Sequence, residues 1–169
     1  MRRRALDVGL GFWLALMPAL ASALPEDRQQ PIRLEADSGQ LDQKTGVSIY
    51  QGNVVISQGS MRLDANTATI YFKEGRFERI VAEGKPVQLR YKPSVDKPEI
   101  QGVGQRVEYN AITARVVMTI NAKITQGQDS FTGDRIEYDL DKDQVKASGD
   151  KGKRIQFIIQ PQSIQDSER

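Results

Sequence analysis

From Ile32 onward, apolar and polar residues alternate with a period of two almost without a break. Ile32, Leu34 and Ala36 alternate with Arg33, Glu35 and Asp37, and Met61, Leu63 and Ala65 with Arg62, Asp64 and Asn66. Val107 and Tyr109 alternate with Arg106, Glu108 and Asn110, and Ile136, Tyr138 and Leu140 with Arg135, Glu137 and Asp139. Ile155, Phe157 and Ile159 close the series. A side chain that changes face at every residue is the mark of a half-buried strand. Turn residues punctuate these runs at Gly46, Gly52-Asn53, Gly59, Gly75, Gly84-Lys85-Pro86, Gly127, Asp141-Lys142-Asp143, Gly149 and Gly152. No stretch holds the helical spacing long enough for an interior helix. The pattern predicts an all-β antiparallel protein in which two sheets, or one rolled sheet, enclose the apolar faces.

An internal repeat sharpens the expectation. Segment 36–78 aligns without a gap on 104–146, pairing Thr45 with Thr113, Asn53 with Asn121, Ile56 with Ile124, Gln58 with Gln126 and Gly59 with Gly127. Leu63 falls on Phe131 and Ile70 on Tyr138. A shorter period pairs Ala36-Asp37 with Ala65-Asn66, and Gly104-Gln105 with Gly133-Asp134. Repeated hairpins stacked along an axis leave one strand edge free at each end, and such edges can pair with another copy head to tail.

Composition removes most chemistry. The chain of 169 residues is one domain in size and has no His and no Cys. Disulfides, thiolate metal sites and every catalytic arrangement built on His or Cys are thereby excluded. Arg2-Arg3-Arg4, the uncharged run Val8–Leu20 and the A-x-A site Ala21-Ser22-Ala23 have the anatomy of a cleaved secretory signal peptide over residues 1–23. That leader carries three Arg and one Asp, so the remaining chain has balanced charge and no basic stripe for nucleic acid. Residues 24–161 form the expected domain, and 162–169 a polar tail.

Candidate reactive groups are few. Asp37, Asp64, Glu108 and Glu137 fall on the polar parity of their strands and read as solvated face residues. Asp139, Asp141 and Asp143 lack the Gly and Glu of a calcium loop and read as a turn. Gly102-Val103-Gly104 reads as a bulge or a close backbone approach, and Lys151, Lys153 and Arg154 as a hairpin turn. No residue set calls for an enzyme, a metal or a cofactor. The aliphatic stripes, which include Ile32, Leu34, Met61, Leu63, Leu89 and Ile120, either fill a sandwich core or line a slot for an apolar ligand.

Gln30-Pro31-Ile32-Arg33-Leu34-Glu35-Ala36-Asp37 resembles the opening strand of the LptA (OstA-type) periplasmic lipopolysaccharide transport proteins. Gly52-Asn53-Val54-Val55-Ile56-Ser57-Gln58-Gly59 is similar to that family's G-N-V-x-[VI]-[ST]-Q-G hairpin. Gly84-Lys85-Pro86, Gln126, Gly133-Asp134-Arg135-Ile136-Glu137-Tyr138 and Asp150-Lys151-Gly152-Lys153-Arg154 follow in the family's order.

The resemblance implies a β-jellyroll of two antiparallel sheets folded into an open V. It further implies copies that stack end to end in the periplasm between an inner-membrane LptC-type and an outer-membrane LptD-type jellyroll. Lipopolysaccharide would slide along the resulting bridge. By motif position, Ile32, Leu34, Leu89 and Tyr109 should meet its acyl chains; Leu89 is aliphatic where the family pattern carries an aromatic. Strand parity adds Met61, Leu63, Phe131 and Tyr138 to the lining. The rival readings are a stand-alone soluble lipid shuttle and a structural or carbohydrate-binding β-sandwich. The latter is disfavoured because the one Trp, Trp13, lies in the leader.

Overall fold

Strand follows strand through a single antiparallel sheet. The computed structural model describes residues 27–150 and 153–161; the expected leader 1–23, the tail 162–169, Lys151 and Gly152 lie outside the described residues. A 3-10 turn at Asp27–Gln29 precedes β1 (Arg33–Glu35), β2 (Ser38–Asp42), β3 (Val47–Gln58), β4 (Met61–Lys73) and β5 (Arg76–Tyr91). Then come β6 (Ile100–Asn110), β7 (Arg115–Gln126), β8 (Asp129–Asp139), β9 (Gln144–Ser148) and β10 (Gln156–Ile158). The strand order is β1-β3-β4-β5-β6-β7-β8-β10, with β2 also on β3 and β9 also on β8.

Every long strand is interrupted at the same level. Pairing register shifts between Gln51 and Val54, Asp64 and Thr67, Glu83 and Val87, Val103 and Arg106, and Thr119 and Ala122. A bulge bends its strand and raises the local twist. A line of bulges therefore folds the whole sheet into two leaves. The first leaf holds β2, β9 and the halves of β3–β8 that pair through residues 47–51, 67–71, 79–83, 106–110, 115–119 and 135–139. The second leaf holds β1, β10 and the other halves. One apolar cluster drawn from both leaves fills the angle between them. Among the described residues the sheet does not close, since β1 and β2 pair only with β3, and β9 and β10 only with β8.

Side chains lock the bend. Asn53 Nδ2 donates to Asp37 Oδ2 at 2.9 Å, and the Lys85 amide donates to Asn66 Oδ1 at 3.1 Å. The Asp150 amide and Lys153 Nζ both donate to Asp134, at 2.9 and 2.8 Å. Asp37, Asn66 and Asp134 are three of the four polar members of the shorter sequence period, and the fourth, Gln105, lies in the register shift between Val103 and Arg106, so that period marks the bend line.

The longer repeat is structural. Positive φ occurs at Gly46 and Ala114, Gly52 and Ile120, Asn53 and Asn121, Gly59 and Gly127, and Gly75 and Asp143. Each of these is a pair that the 68-residue offset superimposes. The same offset carries β3 onto β7 and the start of β4 onto that of β8.

Two expectations are corrected. Ile120, placed among the core aliphatics, is 50% exposed because the bulge between Thr119 and Ala122 turns it out of the alternation. Lys153 and Arg154 do not sit in a hairpin: β9 and β10 both pair with β8, and the chain between them crosses the bend from one leaf to the other. The polar parity of Glu108 and Glu137 has a clear use. On the outer face of the first leaf they pair with Arg79 at 3.6 Å and Arg115 at 3.4 Å.

Candidate functional site

Register alone assembles two apolar rows, one per leaf. On the second leaf, cross-strand partners run Leu34, Ile56, Leu63, Leu89, Gly102, Ile124, Phe131, Phe157, from β1 at one edge to β10 at the other. On the first leaf they run Leu41, Ser48, Ile70, Ile80, Tyr109, Val116, Tyr138, Val145, from β2 to β9. Directly opposed residues in a ladder share one face of the sheet. Both rows lie on the inner face, as the burial of Ile56, Leu63, Ile70, Ile80 and Val116 shows.

The eight residues expected to line a slot all come to this interior. Leu34, Leu63, Leu89 and Phe131 belong to the second row, and Tyr109 and Tyr138 to the first. Ile32 packs against the core just before β1, and Met61 is buried beside the turn that opens β4. Leu63, Leu89, Tyr109 and Tyr138 are almost wholly enclosed, whereas Ile32, Leu34 and Phe131, nearer the sheet edges, are only partly covered. Sequence reasoning missed Ile56 and Ile124 as members of the second row. Their identity across the repeat was the available signal.

The interior is filled in its middle and open at its ends. Val87, Val107, Val116, Met118, Ala122 and Ile136 have no exposed surface. At the β2 edge, by contrast, an open recess of about 500 Å3 is lined in part by Leu41, Ser48, Tyr50 and Phe72. Leu41 there is 56% exposed because the facing leaf offers only the short β1. At the β10 edge Phe157 stacks edge-on to Phe131, with ring centroids 4.9 Å apart, yet stays 46% exposed.

A polar clasp spans the side of the V opposite the bend. The loop between β5 and β6, on the second leaf, sends Lys97 to Asp143 in the β8–β9 turn of the first leaf. Tyr138 Oη donates to the same carboxylate at 2.5 Å, and its ring lies 6.4 Å from that of Tyr91 on the other leaf. The ammonium of Lys97 and then the Tyr138 hydroxyl hold the Asp143 carboxyl below its ordinary pKa. Burial first, and then the neighbouring carboxylate, push the Tyr138 phenol upward, so it stays a donor. Asp139 accepts from the Lys142 amide within the same turn, so these acids are committed to turn geometry and the clasp.

Two apolar rows that run between unpaired sheet edges suit an elongated apolar ligand that passes through the molecule. Residues 33–144 match the family described as "LptA/(LptD N-terminal domain) LPS transport protein". The chain belongs to this family. It is 40% identical to the lipopolysaccharide export system protein LptH of Pseudomonas aeruginosa, across 89% of this chain and 91% of that protein. Against the export system protein LptA of Escherichia coli it is 30% identical, covering 86% of this chain and 80% of the relative. The crystal structure of LptH, titled the LptA-homologous periplasmic component of the lipopolysaccharide transport device of P. aeruginosa, superimposes with a TM-score of 0.76 at 38% identity. That match covers 81% of this chain and 100% of the chain in the LptH crystal structure, and the all-β, unclosed jellyroll expected from the sequence is the fold they share.

Proposed function

We propose that this protein carries lipopolysaccharide through the periplasm, holding the acyl chains between the two apolar rows while the sugar head stays outside. Residues 1–23 direct export, and the chain acts by binding, without catalysis. Ile32, Leu34, Met61, Leu63, Leu89, Tyr109, Phe131 and Tyr138 contact the acyl chains. The observation that carries this reading is that both rows run from one sheet edge to the other, each edge unpaired among the described residues, with no charged side chain in either row; Ser48, Tyr109 and Tyr138 supply the hydroxyls among them.

The energetics require such a path. At ~0.8 kcal/mol per CH2, exposing one twelve-carbon acyl chain to water costs about 9 kcal/mol. Aliphatic walls offset that cost without directional contacts, so no deep well arrests a chain along the way.

The internal repeat supports end-to-end assembly. β1 and β10 are the counterparts of the second-leaf parts of β6 and β5, which pair with each other inside the chain. Placing β1 of a second copy on β10 in the same register sets Leu34 beside Phe157, as Gly102 stands beside Leu89. The apolar row then continues from copy to copy by strand addition. The same edges suit an inner-membrane LptC-type and an outer-membrane LptD-type jellyroll.

A photo-crosslinking residue at Leu34 or Tyr109 should capture lipopolysaccharide, while Arg33 and Glu35, on the opposite parity of β1, should not. Capture from Arg33 and Glu35 alone overturns the reading. Size exclusion should show species that grow with concentration; a strictly monomeric protein is the behaviour of a shuttle.

A further inference from the structure

The second-leaf row is broken once, at Gly102. Every other position from Leu34 to Phe157 carries a large apolar side chain. The gap is filled from the facing leaf by Met118. A Cβ on Gly102 would lie 2.6 Å from Met118 Sδ and 3.2 Å from its Cε, closer than carbon and sulfur tolerate. Met118 reaches across because the glycine has nothing there.

Met118 is also out of character with its own row. Next to the bend on the first leaf, cross-strand partners run Gly39 and Tyr50 at the β2 edge and then, across the middle, Ala68, Ala82, Val107, Met118, Ile136, Ala147. Small and β-branched side chains suit the narrow angle where the leaves meet. Valine and isoleucine have one or few χ1 rotamers open to them, and on a central strand they can move only with the backbone. Methionine is unbranched, has three rotatable bonds and adapts to changes in its surroundings. Among the described residues, Met118 is the single unbranched chain among the large side chains with less than 2% exposure. When an acyl chain enters this filled interior, Met118 is the group able to leave without disturbing the ladder, and what it vacates is a channel over Gly102 matched to another unbranched chain.

We infer that Met118 is a displaceable stopper seated over Gly102, and that this pair sets how far acyl chains penetrate the middle of the slot. The inference rests on the transport reading above and adds a specificity-determining residue to it. Empty, the stopper keeps the interior dry and filled; loaded, a polymethylene segment takes the place of the thioether.

Residues 24–169 contain only two methionines, Met61 and Met118, so methyl-13C methionine labelling gives two assignable signals. Titration with hexa-acylated lipopolysaccharide should move the Met118 methyl resonance. The stopper mechanism also predicts that Met118→Ala binds lipopolysaccharide about tenfold tighter, because the ligand fills a space already open. Met118→Ile, close in volume but stiff, should bind about tenfold weaker while keeping its thermal midpoint near that of the parent. Crosslinking from Leu34 is run on each variant as an independent report of ligand in the slot. Lipopolysaccharide captured at Leu34 with the Met118 signal unmoved and the Ile variant binding like the parent overturns the stopper alone. Absence of capture at Leu34 in every variant overturns the transport reading and the stopper with it.

Discussion

Lys97 and Asp143 form an ion pair between the loop after β5 and the turn after β8, and so tie the rim of one leaf to the rim of the other. The pair joins elements 46 residues apart in sequence that share no strand pairing there. Its side chains are 49% and 35% exposed, so water screens the attraction and its worth is at most about 1 kcal/mol. The clasp therefore contributes little to holding the rims together. Lys97→Glu should lower the urea midpoint slightly and raise hydrogen exchange in residues 92–99. Pairing it with Asp143→Lys should restore both.

The clasp has a pH signature. Asp143 is more acidic folded than unfolded, so its contribution is present in full at neutral pH. It is lost as pH falls below the ordinary carboxylate range and through the lower folded value. Parent and Asp143→Asn should therefore converge in stability toward strongly acidic pH. A difference that persists there counts against the ion pair as its source.

The copy-to-copy register is testable because the chain lacks cysteine. Gln88 faces Val103 within the chain, and the repeat converts that pair to Gln156 of one copy facing Glu35 of the next. A chain carrying Gln156→Cys and Glu35→Cys should form a ladder of disulfide-linked multimers on mild oxidation. Gln156→Cys with Arg33→Cys, two residues out of register, should give little, since a disulfide tolerates a narrow Cα separation.

Ile120 is a β-branched residue at φ 64, half exposed, where its repeat counterpart Gly52 sits at φ 77. Left-handed backbone disfavours a branched side chain. Ile120→Gly should raise stability by about 1 kcal/mol. Gly52→Ile should lower it by roughly 3 kcal/mol, since it combines the same strain with a clash against the Asp37 carboxylate. Denaturant melts of the two variants provide the comparison.

The inner and outer faces of the first leaf, at Ile136 on β8 and Glu108 on β6, should respond differently. Ile136→Ala removes a side chain with no exposed surface and should cost about 3 kcal/mol. Glu108→Gln, on the outer face beside Arg79, should cost less than about 1 kcal/mol and should matter less still in high salt. Melts at two ionic strengths separate these outcomes.

The parity of the strands was legible because each buries one face and wets the other, and the ordered Leu34, Leu63, Leu89, Tyr109, Phe131 and Tyr138 fell on the buried parity. Parity could not be followed through the bulges. Ile120 looked like another core aliphatic because nothing in a local alternation records the inserted residues that reverse it. The run after Gly149 looked like a hairpin because its turn residues are the same ones that cross a bend.

Alternation, the repeat and the missing His and Cys settled from sequence that this is an antiparallel β protein with duplicated hairpins and no thiol or imidazole chemistry. Those properties are written locally, in side-chain period and residue type. Only the tertiary structure decided that the aligned bulges fold one sheet into two leaves, that eight-residue rows run from edge to edge, and that Met118 reaches Gly102. Each depends on which residues oppose one another across strands, and cross-strand register follows from the packing of the whole sheet.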